Sequence, residues 1–176
     1  LEVYDNKGIC IATGSGFVAF NNSTLITNYH VIDEGSYIIG NSDDGDRFRL
    51  SKVLCSNKAL DIAILSFDDD TNIAPLPLYC GDNLMRGEPV VAIGSPISIT
   101  NTVSKGNISA LYTDDDIPWI QFTAPISHGS SGGALFNDDG AVIGITSASY
   151  TYGEDMNLAV RAVVAQAMYN AWNGVT

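Results

Sequence analysis

The sequence predicts an all-β protein, two six-stranded antiparallel β-barrels followed by a C-terminal α-helix, and three observations carry that expectation. Short runs rich in Val, Ile, Phe, Tyr and Thr recur between Gly, Asn and Asp clusters, at intervals typical of sandwiches and barrels. A stretch at Thr71–Leu84, with Pro75, Pro77 and Gly81-Asp82-Asn83, interrupts this rhythm and leaves two halves, each sized to close a small barrel. Helical periodicity shows only in the tail.

Taken in order, the predicted strands include Gly16–Phe20, Thr24–Thr27, Tyr37–Ile39, Phe48–Leu50, Ile62–Leu65, Pro89–Ile93 and Ala141–Ile145. From Val160 to Trp172 the residues Val160, Val163, Val164, Ala167, Met168 and Ala171 recur at spacings of three and four, as on one helix face. The expected organisation is one folded unit: residues 1–78 as the first barrel, 79–159 as the second and 160–172 as the helix. No repeat or low-complexity stretch is visible.

At 176 residues with 45% apolar content, the chain can bury one substantial core or two adjoining ones. A net charge of −12 argues against nucleic acid as a partner and against contact with an anionic membrane. No apolar run approaches the ~18 residues of a membrane span. Acidic clusters such as Asp68-Asp69-Asp70 and Asp114-Asp115-Asp116 lie between apolar runs, as solvated turns do. Two histidines and three scattered cysteines have no ligand spacing, so neither metal nor cofactor is expected. Cys10, Cys55 and Cys80 read as buried free thiols.

Three short stretches could carry chemistry. In Gly129-Ser130-Ser131-Gly132-Gly133 a serine lies among glycines, which let the backbone turn sharply and bring amide groups near a substrate carbonyl. His30 ends the strand-like run Thr24–Tyr29, and Asp61 stands amid Ala59-Leu60 and Ile62–Leu65, where it is desolvated unless bound. A serine needs a base, and the base needs an orienting carboxylate. The order His, Asp, Ser separates this set from the other two common arrangements of the same triad.

These stretches resemble the HtrA/Deg branch of the chymotrypsin-like serine proteases, together with Thr13–Val18, Leu25–Ile32, Leu60–Leu65, Val91–Pro96, Gly106–Leu111 and Val142–Thr146. The resemblance implies a serine endopeptidase with His30 as general base, Asp61 as orienting acid and Ser131 as nucleophile. It also implies an oxyanion hole from the N–H groups of Gly129 and Ser131. Ser147 falls where a serine faces the buried aspartate, and Ser147-Ala148-Ser149 matches the strand that pairs with substrate.

Ser130 replaces the aspartate that matures digestive relatives, and His128 reads as a rim residue. No PDZ-like segment follows Trp172. With Pro125 at the pocket base, Ile126 on its wall and Thr146 nearby, the pocket is expected to take small or medium aliphatic side chains of a protein or peptide substrate. The resemblance further implies a bacterial envelope or extracellular address, within a larger chain from which a leader or neighbouring domain has been removed. Two other readings stand beside it: a catalytically silent binding module, and a domain that cleaves its own chain.

Overall fold

The computed structural model describes residues 1–95, 101–147 and 156–175. The first half forms strands β1 (Glu2–Tyr4), β2 (Cys10–Thr13), β3 (Phe17–Val18), β4 (Thr24–Thr27), β5 (Tyr37–Asn41), β6 (Arg47–Asn57) and β7 (Ile62–Phe67). They pair antiparallel in the order β2-β1-β5-β6-β7-β4-β3, a curled half-barrel. Its edge strands β2 and β3 are consecutive in sequence, parted by Gly14-Ser15-Gly16. There the backbone bonds leave the ladder: the Gly14 N–H donates to the Leu1 carbonyl and the Ser15 N–H to the Ser131 carbonyl. The sheet therefore has seven strands and stays open at this point.

The second half is a closed six-stranded barrel, β10-β13-β12-β11-β8-β9. Its strands are β8 (Pro89–Gly94), β9 (Thr102–Asp114), β10 (Ile117–Phe122), β11 (Ala134–Phe136), β12 (Val142–Ser147) and β13 (Asn157–Arg161). Alternation decides which residues face inward: along β8, Val90, Ala92 and Gly94 are buried while the intervening positions are not. Asp115 and Asp116 turn the β9–β10 hairpin with φ of 47° and 63°, a left-handed region that aspartate tolerates better than most residues.

Three apolar clusters hold this together. Val3, Val18, Leu25, Ile38, Leu50 and Leu65 fill the first sheet, and Val90, Ile108, Phe122, Leu135 and Ile143 fill the barrel. The third cluster lies between the halves, where Phe17, Ile26, Ile62 and Ile64 meet Trp119, Val142 and Val160. Truncating a fully buried isoleucine such as Ile26 would cost ~2–5 kcal/mol. The connector crosses the same seam, with the Leu76 N–H bonded to the Val18 carbonyl and the Tyr79 N–H to that of Val142.

The closing helix α2 (Ala162–Trp172) begins two residues later than expected, because Val160 pairs with Trp119 on one side and Ile145 on the other and so belongs to β13. It packs back on the first half: the Tyr169 ring stacks on Phe20 with centroids 3.9 Å apart, and Asn21 donates to the Tyr169 hydroxyl at 3.1 Å. The cysteines are free, but the expectation of burial is corrected. Cys10 and Cys80 are exposed, on an edge strand and in the connector, where no apolar layer covers them, and Cys55 is half-buried.

Candidate active site

His30 stands in α1 (Tyr29–Ile32), a single helical turn directly after β4 rather than an extension of that strand. Asn28 occupies its N-cap position in extended conformation, yet its side chain does not cap the helix. It turns inward, and its Nδ2 donates to the main-chain carbonyl of Asp61 at 2.9 Å. The Tyr29 N–H reaches the same carbonyl at 3.2 Å.

Asp61 leads into β7 from a left-handed conformation with φ of 53°. That twist, uncommon outside glycine, holds because two donors secure its carbonyl and three contacts secure its carboxylate. Oδ1 accepts the His30 N–H at 2.9 Å, and Oδ2 lies 2.7 Å from His30 Nδ1 and 3.2 Å from the Ser147 Oγ that donates to it. Asp61 is only 6% exposed, so unpaired it would be costly to ionise. A carboxylate accepts hydrogen bonds, so in the neutral imidazole the proton belongs on Nδ1 and Nε2 is the acceptor.

The loop before β11 brings in Ser131. Ser127 accepts the Ser130 N–H, Ser130 accepts that of Gly133, and the left-handed Gly129 and Gly132 (φ of 94° and 85°) let the chain double back between them. Gly132 lies against the turn that carries His30: a Cβ there would collide with the Ser15 carbonyl and the Thr27 hydroxyl and sit 3.0 Å from the Asn28 nitrogen. Thr146 binds the loop from below through its Oγ1, which donates to the Ser130 carbonyl at 2.7 Å. Ser131 is itself buried, at 6% exposure. The fold thus gathers the His30, Asp61 and Ser131 segments at the seam, with Ser147 on the aspartate.

Ile126, Pro125, Ser127, Ser130 and Thr146 line a mostly apolar cleft of about 240 Å³ beside this loop, closed on the far side by β8. Ala148 and Ser149 lie outside the described residues. His128 is exposed on the rim. Among the described residues no group of three or more His, Cys, Asp or Glu is placed to hold a metal ion. Reading residue types alone gave no role to Asn28, Thr27 or Ser15. The signal available was a polar residue at the end of an apolar strand, two or three positions before a histidine, or between two glycines.

A family model described as a trypsin-like peptidase domain matches residues 14–145. "Serine protease HTR4" of Rattus norvegicus is 36% identical over 84% of this chain and 32% of its own. A "Probable periplasmic serine endoprotease DegP-like" of Halomonas elongata is 39% identical over 78% of this chain and 30% of its own. "Anti-sigma-I factor RsgI9" of Acetivibrio thermocellus is 35% identical over 84% and 21%. The chain therefore spans about a third or less of the length of these relatives. Among solved structures, the serine endoprotease from Yersinia pestis superposes with a TM-score of 0.84 and 30% identity, over 97% of this chain and 61% of that one. The match covers both halves of the fold and all three site segments, and on that ground the chain belongs to the family of trypsin-like peptidase domains, with HtrA- and DegP-type proteases among its relatives.

Proposed function

We propose that the chain is a serine endopeptidase domain in which His30, Asp61 and Ser131 form the catalytic triad. The observation that carries this reading is the pair of contacts from one buried carboxylate to the ring and the backbone of His30, beside a serine loop built on left-handed glycines. The Ser131 Oγ attacks the scissile carbonyl carbon as its proton passes to His30 Nε2. The carbonyl oxygen takes the negative charge, and the N–H groups of Gly129 and Ser131 receive it. As the C–N bond breaks, the imidazolium returns the proton to the leaving amine. Water, deprotonated by the same nitrogen, then attacks the acyl carbon, and the imidazolium returns that proton to the Ser131 Oγ as the ester bond breaks.

The substrate is a protein or peptide cut after small or medium aliphatic residues. The apolar cleft beside Ile126 supports that choice, since it offers a charged side chain nothing to repay desolvation. The domain reading is a single peptidase domain of two sheet units divided near residue 78, closed by the helix Ala162–Trp172. The periplasmic name of one relative supports an envelope or extracellular address.

The test is fluorophosphonate labelling together with peptide hydrolysis. Wild type should label at Ser131 and cleave, and Ser131→Ala should do neither while keeping its fold. Undiminished hydrolysis by Ser131→Ala overturns the assignment. A second reading has its own support: a relative named as an anti-sigma factor carries this domain within a far longer chain. On that reading the domain cuts its own polypeptide once or serves as a silent module. Cleavage whose half-time does not change with protein concentration would favour the self-cutting form.

A further inference from the structure

Ser15, between β2 and β3, belongs to the other half of the molecule from the serine loop and is 3% exposed. Its four hydrogen bonds nevertheless converge on that loop and its supports. The Ser15 N–H donates to the Ser131 carbonyl at 2.8 Å, and the Ser15 carbonyl accepts from the Thr27 hydroxyl at 2.7 Å. Its Oγ lies 2.6 Å from the Gly129 carbonyl and 2.7 Å from the Ser95 nitrogen. The Ser95 N–H can only donate, so Ser15 Oγ accepts from it and directs its own proton to the Gly129 carbonyl.

The serine loop is held one peptide plane at a time. The plane between Gly129 and Ser130 is fixed by Ser15 Oγ at its carbonyl and by Ser127 at its N–H. The next plane is fixed by Thr146 Oγ1 on the Ser130 carbonyl, and the one after it by the Ser15 N–H on the Ser131 carbonyl. Gly129 has no Cβ and its φ is 94°, so sterics place little restraint on its peptide and hydrogen bonds must supply it. We infer that Ser15 is a positioning residue for the oxyanion hole: its hydroxyl on the Gly129 carbonyl and its N–H on the Ser131 carbonyl fix the two peptides that flank the Ser130–Ser131 peptide, so that the N–H of Ser131 faces the substrate carbonyl. The inference rests on the proposed roles of Gly129 and Ser131. A misdirected donor weakens binding of the developing oxyanion more than binding of the ground state.

The test uses an aliphatic peptide p-nitroanilide that wild type cleaves and Ser131→Ala does not; loss of that difference would sink the triad and leave Ser15 aside. In Ser15→Ala, kcat should fall about tenfold to a hundredfold, part of the ~10²–10³ lost when an oxyanion donor is removed outright. KM should stay within about twofold, because only transition-state binding is touched. The pH profile of kcat/KM should keep its midpoint, since Ser15 contacts neither His30 nor Asp61. If Ser15→Ala fails to fold, Ser15→Cys, similar in shape but a weaker donor, carries the test with a smaller fall in kcat. A folded variant with kcat within about twofold of wild type, a loss confined to KM, or a moved pH midpoint overturns the inference.

Discussion

The ring and the backbone of His30 are gripped by the two oxygens of one carboxylate, Oδ2 and Oδ1 of Asp61, at 2.7 and 2.9 Å. An asparagine could keep the backbone bond, but its amide would offer a donor where the ring also offers one. The imidazole would then turn over or shift its proton to Nε2, which could no longer accept from serine. Asp61→Asn should lower kcat/KM by about 10⁴-fold with the melting temperature little changed. Steady-state kinetics beside thermal melting checks it, and a loss under about tenfold would contradict the role given to Asp61.

On the proposed mechanism the His30 imidazole must be neutral to accept a proton from Ser131. Activity should therefore climb as pH rises through the acidic range, because a protonated general base cannot take up the serine proton. A flat kcat/KM across that range, with chemistry rate-limiting, would count against His30 as the base.

Gly132 and Gly45 share a φ of 85°, but their surroundings differ. A Cβ on Gly45 meets nothing within 4 Å, whereas one on Gly132 strikes the Ser15 carbonyl and the Thr27 hydroxyl. Gly45→Ala should cost only the left-handed backbone term, ~1–2 kcal/mol. Gly132→Ala should cost ~2 kcal/mol more and abolish hydrolysis, because the backbone next to Ser131 must move. Chemical denaturation of the two variants separates the terms, and equal losses would refute the clash.

Ile126 takes up space in the cleft beside the serine loop. Ile126→Ala should shift a peptide-library digest towards bulkier apolar residues at the cut, with labelling of Ser131 kept. Each methylene gained or lost is worth only ~1–3 kcal/mol, so the change should be a drift in preference. Dominant cleavage after Arg, Lys, Asp or Glu by wild type would refute the aliphatic pocket.

Burial pushes the Cys55 thiol above its ordinary range. A raised value means less thiolate at a given pH, so maleimide labelling of Cys55 should still be climbing at about pH 9. A rate that levels off below that pH, followed by mass spectrometry of the modified peptide, would show that Cys55 is more open than its place beneath Met168 implies.

The periodicity of apolar residues made the strands and the final helix legible, since burial on one face leaves a pattern of two or of three to four. Seven strands in the first half were not legible: Gly14-Ser15-Gly16 reads as a pause, but only the tertiary fold diverts its backbone bonds across the seam. The helical turn at His30 was hidden for a similar reason. Tyr29-His30-Val31-Ile32 has the composition of a strand, and the turn forms because Asp61 captures the His30 N–H. His30, Asp61 and Ser131 stood out because their types and order fit one chemistry. Asn28 and Ser15 did not, because each acts through a carbonyl far away in sequence, and carbonyls leave no mark on the residue code.

The stacking of Tyr169 on Phe20 also sets an order of events during synthesis. The turn between β3 and β4 that bears Phe20 is made first, and its cover arrives almost 150 residues later, with the helix that follows β13. Throughout elongation that apolar patch stays wet and the two halves lack their buckle.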